Sequence, residues 1–286
     1  MNVLVTGATG FVGPYVIEEL KAHEHTTYTL DRSGKADFTC DIMNKEQLAA
    51  CIQQCKPDAI IHLAGFSSVG KSFVEPEKCH NINVNGTKNL LTVIEQHCPQ
   101  AKILIISSAE AYGLNEGTPL KEEHALNPTS PYGKSRKEQE AIAQASPCNT
   151  IIARSCNHIG KGQAETFVIP AWKKQIAQAN DGETIKVGNI DITRDFSYVT
   201  DVAKAYRLLI EKGTIGETYN IGSGKGYKLK DILHEMITQS GKQLHIEIDN
   251  NLIRPTDIPC LICDNTKLAR LGARFEKINW NKIVQE

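Results

Sequence analysis

Three glycines spaced three residues apart, Gly7, Gly10 and Gly13 in GATGFVG, follow the apolar stretch NVLVT and precede a segment of helical period. Glycines also make ordinary turns, so the placement carries the meaning. Between a strand and a helix they let backbone N–H groups and a helix N-terminus close on a pyrophosphate. Gly7, Gly10, Phe11 and Val12 form the candidate cradle. Asp31 ends the next such stretch, YTLD, where a carboxylate can accept hydrogen bonds from an adenosine ribose and repel a 2′-phosphate. Arg32 follows at once and can pair with that phosphate. The cofactor is therefore read as NAD or NADP, with NAD favoured.

Residues of this kind act only at the edge of a sheet. Short apolar runs at Val3–Val5, Ala59–Leu63, Ile103–Ile106 and Thr150–Ala153 are rich in Val and Ile, as parallel strands buried on both faces should be. Between them, Val12–Leu20, Glu46–Ile52, Val84–Ile94 and Tyr132–Ala145 place apolar residues three and four apart, each long enough for a helical crossover. Repeated βα units predict an α/β fold of Rossmann type, a doubly wound parallel sheet with its ligand at the carboxyl ends of the strands. That domain is expected over 1–155. After it the texture turns irregular, and a smaller α/β substrate lobe is expected over 156–286, with segments free to return to the first domain. Its expected elements are helices near Phe167–Ala179, Val202–Ile210 and Leu229–Gln239 and strands at Thr218–Ile221 and Leu244–Ile248.

Composition narrows the ligand. With 32 basic and 33 acidic residues in 286, the formal charge of -1 offers no global field for nucleic acid or an acidic membrane surface, so neither is expected as a partner. The chain opens straight into the strand-and-glycine pattern without a basic leader and has no 18-residue apolar window, which reads as a soluble, cytoplasmic protein. Nine cysteines, an odd number, read as free thiols of a reducing compartment. The Cys260–Cys263 pair lacks a second ligand pair at a suitable spacing, because Cys51 and Cys55 are four apart; packing thiols and no metal are expected.

The GxxGxxG spacing, rather than GxGxxG, resembles the short-chain dehydrogenase/reductase superfamily, particularly its extended branch acting on nucleotide sugars. On that resemblance Asp41 and Ile42, in CDIM, are adenine-side contacts, and Leu63 and Ala64, in the turn His62–Gly65, are cofactor-side contacts. His62 itself reads as packed in its strand. The resemblance also implies a catalytic unit of Ser108, in ISSAEAYG, and Tyr132, in SPYGKSRKEQE, with a lysine four residues after the tyrosine. Position 136 is arginine instead. Lys134 and Lys137 cannot stand in, lying about 200° and about 140° around the helix from Tyr132 at about 100° per residue. Arg136 keeps the cation that lowers a phenol's pKa from about 10 and contacts the cofactor, but differs from an ammonium in bulk and donor geometry. Glu110 stands where the branch's 4,6-dehydratases carry a proton-abstracting glutamate, and reads equally as a sugar hydrogen-bonding group. Its neighbour Ala109 can transfer no proton.

Downstream, ARSCNHIGKGQ resembles an RxxN segment that makes Asn157 a substrate-phosphate contact, with Lys161 replacing the usual proline. ITRDFSYVTDV supplies Arg194, Asp195 and Asp201, and RPTDIP supplies Arg254; two arginines suit a pyrophosphate. The resemblance spans essentially the whole chain and is strongest to GDP-6-deoxy-4-keto-mannose reductases. It implies NAD(P)H-dependent reduction of the 4-ketone of a nucleotide-diphospho-6-deoxysugar such as GDP-4-keto-6-deoxymannose, and a homodimer paired through the helices near Asn83–Gln96 and Tyr132–Ala145. A nucleotide-sugar 4-epimerase or 4,6-dehydratase shares most of these residues. A nucleotide-binding regulatory protein impaired by Arg136 is the alternative of another class.

Overall fold

Runs of apolar residues without alternation must be covered on both faces, and in the computed structural model they form one seven-stranded, wholly parallel sheet. The structure describes residues 1–115, 118–280 and 283. β1 (Asn2–Thr6) lies between β2 (Thr26–Asp31), which carries β3 (Phe38–Thr39) at the edge, and β4 (Ala59–His62). Beyond β4 come β5 (Lys102–Ser108), β6 (Asn149–Ser155) and β10 (Thr218–Ile221).

Alternation along β1 shows how the two faces are filled. Val3 and Val5 pack with Val16 and Leu20 of α1 (Gly13–Ala22) and with Val202, Tyr206 and Leu209 of α8 (Val199–Lys212). Leu4 faces the opposite core, shared by α2 (Lys45–Cys55), α5 (Gly86–His97) and α6 (Pro131–Ala145). Two short helices, α3 (Val69–Ser72) and α4 (Pro76–His80), precede α5, and a π turn at Asn81–Asn85 joins α4 to it.

The segments expected as a helix near Val202–Ile210 and a strand at Thr218–Ile221 belong to this large layer, a correction to their placement in the smaller lobe. The reason is burial: all four residues of β10 are covered, and the strand finds its partner in β6 through pairs from Thr218–Ile152 to Ile221–Ser155. The smaller lobe holds a sheet of β7 (Asn157–Ile159), β9 (Thr193–Tyr198), β11 (Gly226–Lys228) and β13 (Cys260–Leu261), and a pair of β8 (Thr184–Val187) with β12 (His245–Ile248). Ile169 and Trp172 of α7 (Val168–Gln178) and Leu233 and Met236 of α9 (Leu229–Ser240) close its core.

The strand order turns back between β1 and β4, which opens a crevice at their carboxyl ends. Gly7, Asp31, Leu63 and Ser108 all lie at that edge, each at or just after the end of its strand.

Candidate active site

The glycine loop is built by close approach. Gly7 has φ +68° and lies so near the β4 turn that a Cβ there would stand 2.6 Å from the Ala64 nitrogen. A Cβ on Gly13 would stand 2.1 Å from the Ala8 carbonyl oxygen, whereas one on Gly10 would meet only the Gly7 oxygen, at 3.2 Å. Gly7 and Gly13 thus pack the loop on itself, while Gly10 has a single, milder close neighbour in the Gly7 oxygen. Phe11 and Val12 run into the first turn of α1, whose N–H groups lack intrahelical acceptors. An opening edged by those donors fits a dinucleotide pyrophosphate.

On the adenosine side, Asp31 Oδ2 accepts from the Thr9 N–H at 3.0 Å and the Thr9 hydroxyl at 2.7 Å, which anchors the carboxylate at the end of β2. Arg32 is exposed beside it. Asp41 is spent on the Met43 N–H at 2.9 Å, and Ile42 is buried against Gly86. Leu63 and Ala64 form the floor on which Gly7 rests.

Tyr132 is brought to the end of β5 by the start of α6, where Pro131 occupies the first turn and the Ser130 hydroxyl accepts the Gly133 N–H at 3.0 Å. A Cβ on Gly133 would stand 2.6 Å from the Glu110 carbonyl oxygen, so the helix start and the Ser108–Glu110 turn touch. Ser108 Oγ accepts the Glu110 N–H at 3.2 Å, which leaves its own proton free to donate. Arg136 is buried one turn below Tyr132, with its Cζ 5.1 Å from the tyrosine ring centroid. A guanidinium has five N–H donors. Here three reach the carbonyls of Ile106 (2.9 Å) and Phe66 (3.3 Å) and Oε1 of Gln139 (2.8 Å), while Nε is buried without a partner among the described residues. An unspent donor beside the tyrosine suits a nicotinamide ribose.

A second group of charges assembles from distant parts of the chain. Burial raises the Glu110 pKa, and Arg194 and Arg254 oppose the rise, while Asp257 adds to it. Asp257 lies 3.9 Å from both Arg194 Nη2 and Arg254 Nη1. Arg194 Nη1 is occupied by the carbonyls of Ile258 (2.6 Å) and Thr193 (2.9 Å), whereas Nη2 is buried without a hydrogen-bond acceptor among the described residues. A buried cation with an idle donor is suited to an anionic ligand. Asn157, exposed on β7, pairs with Phe196 on β9, the strand that carries Arg194. Asp195 and Asp201 face inward: Asp195 holds Ser223 and Gly224 N–H groups, each at 2.9 Å, and Asp201 accepts the Glu276 N–H at 2.8 Å.

Several contributors were not singled out from sequence. Asn83 clamps the β4 turn, accepting the Phe66 N–H at 2.7 Å and donating to Ser135 Oγ at 2.9 Å. Gln139, Thr87 and Asp257 belong to the same class, polar residues each with a partner 52 or more positions away. The Phe11 and His158 rings stack 5.8 Å apart, and the Tyr15 hydroxyl donates to the Lys161 carbonyl at 2.8 Å, so the glycine loop and the NHIGK segment are tied together. Cys263 and Cys156 are buried with their sulfurs 2.9 Å apart, and Cys51 and Cys55 lie on the buried face of α2.

Fold and site together define a nicotinamide-dinucleotide oxidoreductase of the extended short-chain dehydrogenase/reductase type. The chain belongs to the family described as GDP-mannose 4,6 dehydratase, which matches residues 4–285. It is 33% identical over 257 residues to the GDP-6-deoxy-D-mannose reductase of Pseudomonas aeruginosa, covering 87% of this chain and 83% of that protein. It is 30% identical over 293 residues to the GDP-6-deoxy-D-talose 4-dehydrogenase of Aggregatibacter actinomycetemcomitans, covering 100% and 96%. The structure of RMD from Pseudomonas aeruginosa complexed with NADPH superposes with a TM-score of 0.86 at 30% identity, over 99% of this chain and 96% of that one.

Proposed function

We propose that the protein reduces the 4-ketone of a GDP-linked 6-deoxyhexose, with GDP-4-keto-6-deoxymannose as the type of substrate. The observation that carries this reading is the composition of the turn after β5. Ser108 and Tyr132 offer a hydrogen-bond donor and a proton donor, while Ala109 is wholly buried in an apolar cluster with Tyr112, Leu261 and Cys263. The turn therefore equips the site for protonating a carbonyl oxygen rather than expelling a hydroxyl. Both GDP-deoxysugar relatives have names describing redox chemistry, one as a reductase and the other as a 4-dehydrogenase.

The reduced nicotinamide, when bound, supplies the hydride. Ser108 polarises the ketone through its free hydroxyl proton, and Tyr132 delivers a proton to the oxygen as negative charge develops there. Arg136 holds the tyrosine and the ribose in register. Arg194 and Arg254 take the substrate diphosphate, with Asn157 beside them, and Glu110 hydrogen-bonds the sugar. Gly7, Gly10, Phe11, Val12, Asp31, Asp41, Ile42, Leu63 and Ala64 hold the cofactor, with Arg32 at its adenosine end. The anchored Asp31 carboxylate favours NADH over NADPH, and Asp31→Ala should move the ratio of kcat/KM values toward NADPH.

The decisive assay follows reduced nicotinamide during incubation with GDP-4-keto-6-deoxymannose. Consumption matched by a 4-hydroxy product supports the reading. Isomerisation or dehydration without net consumption, or no consumption across GDP-, UDP- and dTDP-linked ketosugars, defeats it. We further propose a homodimer through α5 and α6, whose outer residues Lys88, Glu95, Lys137 and Glu138 present both signs of charge to a second copy; a monomeric mass in light scattering contradicts it. The nine cysteines, all free, support a cytoplasmic location.

A further inference from the structure

An ammonium is a compact donor that rotates to suit its acceptors, whereas a guanidinium is a flat fork whose donors are useful only when its plane is fixed. Arg136 therefore needs fixing in a way a lysine would not. Two of its three acceptors, the carbonyls of Ile106 and Phe66, belong to the backbone and would be offered by any residue there. The third is a side chain, Oε1 of Gln139, which is fully buried three residues further along α6.

The amide of Gln139 has only one workable orientation. Arginine accepts no hydrogen bond, so the oxygen must face it, and Nε2 then donates to Thr87 Oγ1 at 2.7 Å. Thr87 gives its own proton to the Asn83 carbonyl at 2.7 Å, so its oxygen is free to accept. The same oxygen lies 3.1 Å from His62 Nε2, while His62 Nδ1 lies 2.8 Å from Thr6 Oγ1, which accepts the Ala64 N–H at 3.2 Å. Burial and the Arg136 charge lower the His62 pKa to about 3, which leaves a neutral ring with one proton. Placing that proton on Nε2 satisfies every link, from the cofactor-side turn at Ala64 to the arginine.

We propose that Gln139 is a positioning residue that aims the Arg136 fork, and that this contact is what lets an arginine serve where the family's motif has a lysine. Its oxygen holds one blade so that the two donors left over are presented toward Tyr132 and the nicotinamide ribose. A neutral amide does so without forming a buried ion pair that would cancel the cation at the phenol. The inference rests on the cofactor-site reading above.

Gln139→Met keeps the length of the side chain and removes both polar ends. In the parent it should weaken NAD(P)H binding, titrated by nicotinamide fluorescence without any sugar present, by about 10-fold, and lower kcat by about 10- to 100-fold through misalignment. In an Arg136→Lys background the same substitution should change either quantity by less than about twofold, since the ammonium has no plane to aim. Thr87→Val removes the tie on Gln139 while leaving Gln139 itself, and should show a smaller loss with the same dependence on background; it carries the test if Gln139→Met does not fold. Equal losses in both backgrounds, no loss with Arg136 in place, or an Arg136→Lys protein that no longer binds cofactor would overturn the proposal. A parent that binds cofactor and reduces no sugar defeats the ketoreductase reading alone, because the binding titrations stand without turnover.

Discussion

Adding one methyl group to the glycine loop should have different consequences at Gly10 and Gly13, three residues apart. At Gly13 the new Cβ would lie 2.1 Å from the Ala8 oxygen and 2.5 Å from the Ala8 carbonyl carbon, so backbone must move by more than 1 Å to reach the 3.4 Å of an ordinary contact. Overpacking of that kind costs about 3 kcal/mol at the upper end of its usual range, or roughly 6 °C in Tm for a chain of this size. At Gly10 the Cβ would meet only the Gly7 oxygen, at 3.2 Å, so the loop need give by just a few tenths of an ångström and Gly10→Ala should lower Tm by no more than about 1–2 °C. On the reading proposed above, in which Gly10 lines the pyrophosphate cradle, the added methyl crowds the ligand instead. Losing one hydrogen bond to a charged group costs about 1.5–3 kcal/mol, equivalent to about a 10- to 100-fold rise in the cofactor Kd. Differential scanning fluorimetry with and without NAD(P)H reads both effects. A Gly10→Ala protein that binds cofactor like the parent, beside a Gly13→Ala protein with an unchanged Tm, would falsify the assignment of the loop.

Tyr132→Phe retains the ring and loses the transferable proton, so single-turnover reduction should slow by about 10² to 10⁴ while cofactor affinity is kept; an unchanged rate removes Tyr132 from the mechanism. Glu140→Ala strands the Arg154 guanidinium, whose Nη2 lies 2.7 Å from Glu140 Oε2 with both side chains buried, and should cost about 3–5 kcal/mol in urea unfolding. Glu110 has a raised pKa when folded, so its protonated form favours folding below the unfolded value of 4.5, and that contribution is lost as pH rises through the folded pKa. Glu110→Gln should accordingly raise Tm at pH 7 relative to the parent and not at pH 4; equal shifts at both pH values contradict the direction of the shift.

What was legible in sequence is what periodicity and local spacing encode. β1, β4, β5 and β6 are apolar on both faces and flanked by helices, so Val3–Val5 or Ile103–Ile106 announces its environment in a few residues. Gly7 and Tyr132 also carry local signals, a strand before one and a helix start after the other. β10 did not, because TYNI reads as a strand without saying which sheet it joins; that depends on pairing with β6, 66 positions earlier at the Thr218–Ile152 pair. Asp257 and Gln139 were silent for the same reason. RPTDIP contains an acid beside an arginine, but nothing local says that Arg194 shares it. EQE in α6 looks like a solvated helix face until the fold buries Gln139 against Thr87 and Glu140 against Arg154, leaving only Glu138 outside.

The division of labour around Glu110 bears on why this family can run different reactions on one scaffold. Elimination from a sugar needs both a base for a carbon-bound proton and an acid for the departing hydroxyl, whereas ketone reduction needs a hydride and one proton for oxygen. In this chain the residue between Ser108 and Glu110 is an alanine packed among Tyr112, Leu120, Ile258 and Leu261, a setting in which a carboxylate would be desolvated without a partner. Restoring an acid at position 109 would therefore demand repacking of β13 and the Leu120 bridge, not merely a substitution. Glu110, by contrast, sits under the influence of Arg194 and Arg254. Those cations oppose, without overturning, the rise that burial imposes on its pKa, and in the reading proposed above Glu110 accepts from sugar hydroxyls while Tyr132 donates the proton beside the polarising hydroxyl of Ser108.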